Sequence, residues 1–269
     1  NDRVEALAQT AAQLVPVGPG QEYLTINAAL EAVSRTRRAY VSGGVKVELR
    51  LVSGFVMAEQ VIVDGVNLGG LVITGEDPQT TIRRSALVTP VSEFRYPAFC
   101  AQNGGVLPQI GQLFEMDGTG LGAARDGIMV RGMGASVDVA PGCGVKRAGG
   151  DGVLAQAGGA LSAFSGVFTQ AGDNGARVHS GSSVNLGSCD LSGAGGIGIY
   201  AHTGGMVAAP NAIVTGYGTY GMSARSGARI AALAALAQKA GADTATDLHV
   251  SQGGIIAAPG ATGGVRSEE

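Results

Sequence analysis

The chain has 269 residues, which is enough for one large repeat domain or two small ones. Its 46 glycines follow no Gly-X-Y register, so the glycine excess does not indicate collagen. A net charge of -3 without a basic run disfavours nucleic-acid binding, and no apolar run near 18 residues predicts a membrane span.

Close to the N-terminus, apolar residues recur with the 3-4-3 spacing of a helical seam, at Val4, Leu7, Ala11 and Leu14. The sequence PVGPG then predicts a helix stop at residues 16–20. We therefore assign residues 1–19 to a helical neck and linker. Two interpretations stay open: a loose terminal helix lying on the domain, or the end of a parallel neck that joins several chains.

An amphipathic helix is predicted over about residues 25–37, with Thr25 as its N-cap. Its apolar face would cover the open first edge of a sheet, because uncovered edges invite pairing with other chains. That face consists of Ile26, Ala29, Leu30 and Val33. Segments with strand-like alternation follow it, namely VKVELRLVSG (45–54), QVIVDGVNLGGLVITGE (60–76) and TTIRR (80–84).

Together with YLTINAALEAV (23–33), these segments resemble the N-terminal module of pectin-lyase-like right-handed β-helices, which phage tailspikes and related virion fibres share. The segment from Tyr96 to Gly120 resembles rungs in fibres of phage-like particles, including gene transfer agents. The resemblance implies a right-handed, three-faced β-helix. It implies no particular activity, because this fold hosts lyases, hydrolases, esterases and inert fibres.

The second half of the chain repeats every 23 residues, and each unit begins at an anchor glycine. Further glycines follow each anchor six and twenty positions later, and the residues between them alternate in character with period two. We expect three short strands per unit, joined by bends in which glycine adopts positive φ. The third strand should carry Val167, Leu191 and Ile213 inward. The anchors are Gly152, Gly175, Gly198 and Gly221.

The same register extends back to Ala98 and forward to Asp247. Residues 231–240 (AALAALAQKA) could form a short helix, but their glycine register favours another rung. The predicted fold class is therefore all-β: a single-stranded right-handed parallel β-helix of about 23 residues per rung, with a capping helix and a short helical neck. One β-helix domain is assigned to residues 20–269.

Stacked rungs place equivalent residues in columns about 4.8 Å apart, and one outward column is polar. It contains Gln102, Arg131, Gln156, His179, His202 and Arg225. Such a polar ladder suits the hydroxyl groups of an extended sugar chain, although a solvated or interchain face is the favoured interpretation of this column alone. Tyr200, Tyr217 and Tyr220 are the main exposed aromatic candidates beside it. The predicted ligand-binding residues are Gln156, His179, Tyr200, His202, Tyr217, Tyr220 and Arg225.

The acidic residues indicate catalysis less clearly than the polar ladder indicates binding. Asp126 and Asp151 each precede an anchor glycine, so they should lie at one corner of adjacent rungs, with Asp173 one rung further. Paired carboxylates can act as general acid and base in sugar cleavage. Asp before Gly is also ordinary turn chemistry, and the turn role is favoured.

No metal site or cofactor is predicted. The column of His179 and His202 contains no carboxylate. Cys100, Cys143 and Cys189 lack zinc-ligand or redox spacing and are expected to be small buried residues. Small outward side chains at Ser162, Ala208 and Ala231 would make a flat face that suits packing against identical chains around a threefold axis.

The leading functional prediction is a spike or fibre on the surface of a virion or phage-like particle, assembled in the cytoplasm of the producing cell. The resemblance implies a homotrimer that binds capsular polysaccharide and joins other particle proteins through its N-terminus. No nucleic-acid or membrane partner is expected. A polysaccharide lyase or glycoside hydrolase and an inert fibre spacer are the alternatives, and enzymatic activity is the less favoured interpretation.

Overall fold

The computed structural model describes residues 13–35, 47–92, 94–118, 124–238, 247–260 and 265–267. Here the backbone winds into a parallel β-solenoid of about eight turns with about 25 residues per turn, which confirms the predicted fold class. The period is 23 residues where Val153, Ala176, Ile199 and Met222 pair in succession, and it is longer in the earlier turns.

Three sheets form the sides of the solenoid, and every pair of neighbouring strands is parallel. Sheet A contains Leu14–Val17, Val47–Leu51, Leu71–Gly75, Gln109–Ile110, Ser136–Val139, Ala160–Ala163, Ser183–Asn185, Met206–Ala208, Arg229–Ala231 and Ile255–Ala257. Sheet C contains Val61–Asp64, Phe99–Gln102, Ile128–Arg131, Val153–Gln156, Ala176–His179, Ile199–His202, Met222–Arg225, Leu248–Ser251 and Val265–Ser267.

Sheet B is shorter and partly irregular. Its first part contains Val56–Met57, Thr80–Ile82, Leu113–Met116 and Gly144–Lys146. Isolated bridges at Val167 and Asp190 connect this part to a last pair of strands, Ile213–Thr215 and Leu236–Gln238. A 3-10 helix, Arg84–Ala86, follows the second strand of the sheet.

A continuous apolar core fills the solenoid, because alternate residues of every strand point inward. Both inward rows predicted for sheet C are buried, including Val153 and Ala155 in the first 23-residue unit. Phe99 and Phe114 pack against each other in the core, with ring centroids 4.9 Å apart and an interplanar angle of 60°. A single rung is too thin to bury its own side chains, so stability depends on stacking between rungs.

The third face differs from the prediction by one residue at two places. Val167 is partly exposed and Ile213 is 41% exposed, whereas Leu191 is buried as expected. The inward positions are instead the following residues, Phe168 and Val214, both fully buried. Side chains in a strand alternate between faces, so this one-residue error reverses the side to which they point.

Glycines of the repeat serve two purposes, of which only one was predicted. Gly181 adopts φ +73 at a corner, as expected for the second glycine of each unit. The anchor glycines have no positive φ; they permit close approach between turns. A Cβ on Gly175 would lie 2.6 Å from the carbonyl oxygen of Gly198, a distance that real side chains do not tolerate.

The capping helix is confirmed and runs over Ile26–Arg35. The Thr25 hydroxyl accepts a hydrogen bond from the backbone N–H of Ala28 at 3.1 Å, so Thr25 is the N-cap. The Glu59 carboxylate accepts two further bonds, from the N–H groups of Ile26 and Asn27. All four predicted apolar residues of the helix are buried.

Residues 1–12, which hold most of the predicted neck, lie outside the described part of the chain. Leu14, expected to end the neck helix, instead begins the strand Leu14–Val17, which pairs with Val47–Leu51 in sheet A. The solenoid therefore starts before residue 20, within the segment that the sequence assigned to a linker. Alternate burial along this strand explains why: Val15 and Val17 point into the core.

The last turns follow the predicted register. Residues 229–238 form two strands rather than a helix, and a further rung begins at Leu248 after Asp247. Cys100 and Cys189 are buried as expected, while Cys143 is partly exposed. Among the described residues, no helix is both long and apolar enough to cross a membrane.

Candidate functional site

An open groove of about 490 Å³ lies on the outer face of sheet C. One of its walls comes from residues 87–92 and 94–97, of which Ser92 and Arg95 line the groove. Arg131 Nη1 donates a hydrogen bond to the carbonyl oxygen of Val91 at 3.1 Å, and Gln156 Nε2 donates to the Ser92 hydroxyl at 3.2 Å. These contacts attach the wall to the floor of the groove.

The groove begins where this covering segment ends. Val91 packs on a small apolar cluster formed by successive outward residues of sheet C, namely Cys100, Met129 and Leu154. On the next two strands the same column continues as Arg177 and Tyr200, which are polar and partly exposed. Sheet C thus changes from an apolar covered surface to a polar open one along the solenoid axis.

The predicted polar ladder forms the adjacent column. Gln156 follows Arg131 in register, and His179 pairs with His202 on the next two strands. The two imidazole rings stack with centroids 4.7 Å apart and an interplanar angle of 8°. Tyr200 stacks on His202 at 4.6 Å. Three rings therefore form one partly exposed platform beside the groove.

Arginine side chains flank this platform. The guanidinium of Arg225 lies 5.6 Å from the Tyr200 ring centroid, and that of Arg177 lies 6.0 Å from it. Arg177 Nε also donates a hydrogen bond to His202 Nε2 at 3.4 Å. This places the proton of His202 on Nδ1, which is 3.0 Å from the Thr203 hydroxyl.

Both histidines of the ladder are held in the neutral form. Burial, the neighbouring His202 and Arg177 lower the pKa of His179 to about 4. Burial, followed by the charges of Arg177 and Arg225, lowers the pKa of His202. Near neutral pH the platform therefore offers uncharged rings that can stack and form hydrogen bonds, and its positive charge resides on arginine.

The structure brings Asp126 and Asp151 together at one corner, as the sequence predicted. Arg95 bridges them: its Nη1 lies 2.8 Å from Asp126 Oδ1 and 3.2 Å from Asp151 Oδ2. Burial and the Asp151 charge raise the pKa of Asp126 to about 7, against the opposing effect of Arg95. Burial also raises the pKa of Asp151. Both shifts favour the protonated acid, because burial disfavours the charged form.

Both carboxylates are, however, fully buried and already engaged with the backbone. Asp126 Oδ1 accepts the N–H of Asp151 at 2.8 Å, and Asp151 Oδ1 accepts the backbone and side-chain N–H groups of Asn174. Each acid thus joins its own turn to the next one. Asp173 lies one turn further and is partly exposed, outside the buried pair. This geometry favours the turn role over catalysis.

The three predicted tyrosines do not form one cluster. Tyr200 lies on the platform, whereas Tyr220 stacks on His249 at 4.5 Å. Tyr217, expected to be exposed, is only 3% exposed and belongs to the hydrophobic core, so its ring cannot contact a ligand. The Tyr217 ring points into the core directly after a corner at Gly216, where φ is +64.

Sequence reasoning missed Arg95 and Arg177 as groove residues. Arg177 occupies an outward position of the repeat and could have been found from its parity. Arg95 lies in a segment outside the repeat, so no periodic signal places it over Asp126. Another unexpected pair is Ser223 and His249, whose Oγ and Nδ1 are 3.0 Å apart; both are closed to solvent.

Within the described ranges, no group of three or more His, Cys, Asp or Glu side chains is arranged to hold a metal ion. No protein-family model matches this chain, and no curated protein was found to be similar to it.

Proposed function

We propose that this chain is a spike or fibre subunit that attaches a virion or phage-like particle to a cell by binding surface polysaccharide. The observation that carries the proposal is the open polar groove on sheet C, together with the platform of stacked rings beside it at His179, Tyr200 and His202. Sugars bind to such surfaces through hydrogen bonds and contacts between their C–H faces and aromatic rings.

The repeat of the solenoid also supports an extended ligand. Equivalent strand positions recur on every rung, about 4.8 Å apart, and polar or aromatic side chains occupy several of them in succession. A polymer lying along the axis can therefore make similar contacts at several successive sugars, whereas a compact ligand would use only one rung. Many weak contacts of this kind add up when they belong to one chain.

A homotrimer is part of the proposal. The outer face of sheet A carries small, exposed side chains at Ser162, Ala208 and Ala231, and Met206 beside them is 49% exposed. A flat surface with few charges can approach an identical surface closely. Attachment of the N-terminus to other particle proteins would leave the groove on sheet C free for the cell surface.

A polysaccharide-cleaving enzyme is the second candidate. The raised pKa of Asp126, next to Asp151 and Arg95, is the observation that favours it. Cleavage would require a sugar to reach two carboxylates that have no exposed surface. Because access is a condition for proton transfer to a substrate, binding without cleavage is the better-supported function.

Purified capsular polysaccharide tests the two candidates directly. We expect the immobilised protein to retain the polymer and to leave its length unchanged by size-exclusion chromatography. A His179→Ala, His202→Ala double variant should lose retention, while Arg83→Gln, at an exposed position after strand Thr80–Ile82 of sheet B, should keep it. Shortened polymer or new unsaturated ends would favour the enzyme, and no retention would contradict the proposed function.

A further inference from the structure

Three arginines of the site lack an acidic partner. Arg131, Arg177 and Arg225 take part in none of the ion pairs among the described residues, and their polar contacts are with a backbone carbonyl, an imidazole and an aromatic ring. Nε of Arg225 is buried without a hydrogen-bond partner. In contrast, Arg95 is neutralised by the two carboxylates beneath it.

The three arginines recur on every second strand of sheet C. They lie on Ile128–Arg131, Ala176–His179 and Met222–Arg225, and the strands between them contribute Gln156 and His202. Arg131 and Arg225 belong to the column of the polar ladder, and Arg177 belongs to the adjacent column of Tyr200. Neighbouring strands are about 4.8 Å apart, so the positive charges are staggered between two columns and roughly 10 Å apart along the axis. The distance between neighbouring rungs along the axis is about equal to the length of one pyranose residue in an extended polysaccharide chain.

The strands between the arginines carry no charge at these positions. Gln156 is neutral, and burial, followed by the charges of Arg177 and Arg225, lowers the pKa of His202, so this imidazole is uncharged near neutral pH. An anion opposite Gln156 or His202 would lack the charge-assisted contact that one opposite Arg177 receives. The site thus alternates between cationic positions and neutral hydrogen-bonding positions.

From this pattern we infer that the groove binds an acidic polysaccharide with one carboxylate or sulfate on every second sugar. Arg131, Arg177 and Arg225 pair with the anions, and Gln156, Tyr200 and His202 contact the neutral sugars between them. This inference rests on the proposed function, since it names the chemical class of the polysaccharide. Salt weakens the interaction because the arginines are open to solvent.

Defined polymers of equal length test the inference with the full chain in biolayer interferometry. Hyaluronan has one carboxylate per two sugars, polygalacturonate has one per sugar, and dextran is neutral. Hyaluronan whose carboxylates have been reduced to hydroxymethyl groups is the matched control polymer. We expect hyaluronan to bind at least about tenfold more tightly than its reduced form, in line with the strength of charge-assisted hydrogen bonds.

Two variants assign the effect to the groove. Arg177→Gln should weaken hyaluronan binding at least about tenfold, whereas Arg83→Gln removes the same charge from an exposed position after strand Thr80–Ile82 of sheet B and should change it less than about twofold. Both side chains are on the outside of the solenoid, so the fold should persist, which circular dichroism checks.

Each other outcome overturns the inference. Equal binding of native and reduced hyaluronan, or tight binding of dextran, removes the need for anions but leaves polysaccharide binding intact. Tighter binding of polygalacturonate than of hyaluronan contradicts the two-sugar period. If no acidic polymer binds while capsule is retained, the inference fails alone; if capsule is not retained either, the proposed function fails with it.

Discussion

Replacing Asp126 by Asn tests whether the buried acid pair is structural. The pKa of Asp126 is raised from 3.8 to about 7, so the folded protein holds this proton more tightly than the unfolded chain does. Its contribution to the free energy of unfolding is therefore fully present below about pH 4 and is lost as pH rises to about 7. The difference in pKa corresponds to about 4 kcal/mol.

Asn keeps the oxygen that accepts the N–H of Asp151 and carries no charge at any pH. The variant should therefore match the parent near pH 4.5 and exceed it at pH 8, because it avoids a buried negative charge. The Asn side chain of the variant cannot form the ion pair with Arg95, which opposes this gain in stability. Arg95 still forms its ion pair with Asp151, however. Urea unfolding at pH 4.5, 6 and 8, followed by circular dichroism, measures the difference.

Asp138→Asn is the matched control, since this carboxylate is exposed on the outer face of sheet A. Transition midpoints are the quantity to compare, because repeat proteins do not always unfold in one step. A variant that is less stable than the parent at pH 8 would show that the ion pair with Arg95 outweighs burial of the charge. Unchanged pH dependence would refute the assigned pKa.

Three further outcomes are expected. Gly175→Ala should lower the free energy of unfolding by about 3 kcal/mol, because its Cβ would meet the backbone of the next turn. Gly181→Ala has open space around it and should lower it by only about 1 kcal/mol, through its positive φ. The midpoints of urea unfolding compare the two variants. Phe168→Ala should cost about 3 to 5 kcal/mol by leaving a cavity in the core, and a loss under about 1 kcal/mol would contradict that packing. The depressed pKa of His179 predicts that the parent loses stability as pH falls from about 6.5 to about 4 and that His179→Gln loses less, as thermal melts at several pH values can check.

The architecture could be predicted from the sequence alone because each 23-residue repeat corresponds to one turn of the solenoid. Strict glycine spacing and two-residue alternation fix the rung, and the in-register pairing of Val153 with Ala176 and of His179 with His202 follows from them. The error on the third face has a physical cause. That face consists of isolated bridges around Val167 and Asp190, so it lacks the long alternation that sets inward and outward positions elsewhere.

Only part of the site could be predicted in the same way. The residues of the polar ladder occupy equivalent positions in successive repeats, so the repeat spacing predicts them. The groove itself depends on Ser92 and Arg95, which lie in a segment that has no periodic signal. Burial of Tyr217 and the contact of Arg95 with Asp126 arise from tertiary packing between segments distant in sequence.

Arg95 connects the buried acids to the open groove. Its guanidinium is held by Asp126 and Asp151, while the same side chain lines the groove on the other side. A wall fixed by two buried carboxylates loses little further conformational entropy when a ligand binds. The raised pKa of Asp126 then reflects burial of the acid pair and the neighbouring Asp151 charge, which Arg95 offsets only in part. The acid pair that suggests catalysis therefore fits better as the support of a preformed binding surface, whose own contacts with sugar come from the neutral rings and the unpaired arginines.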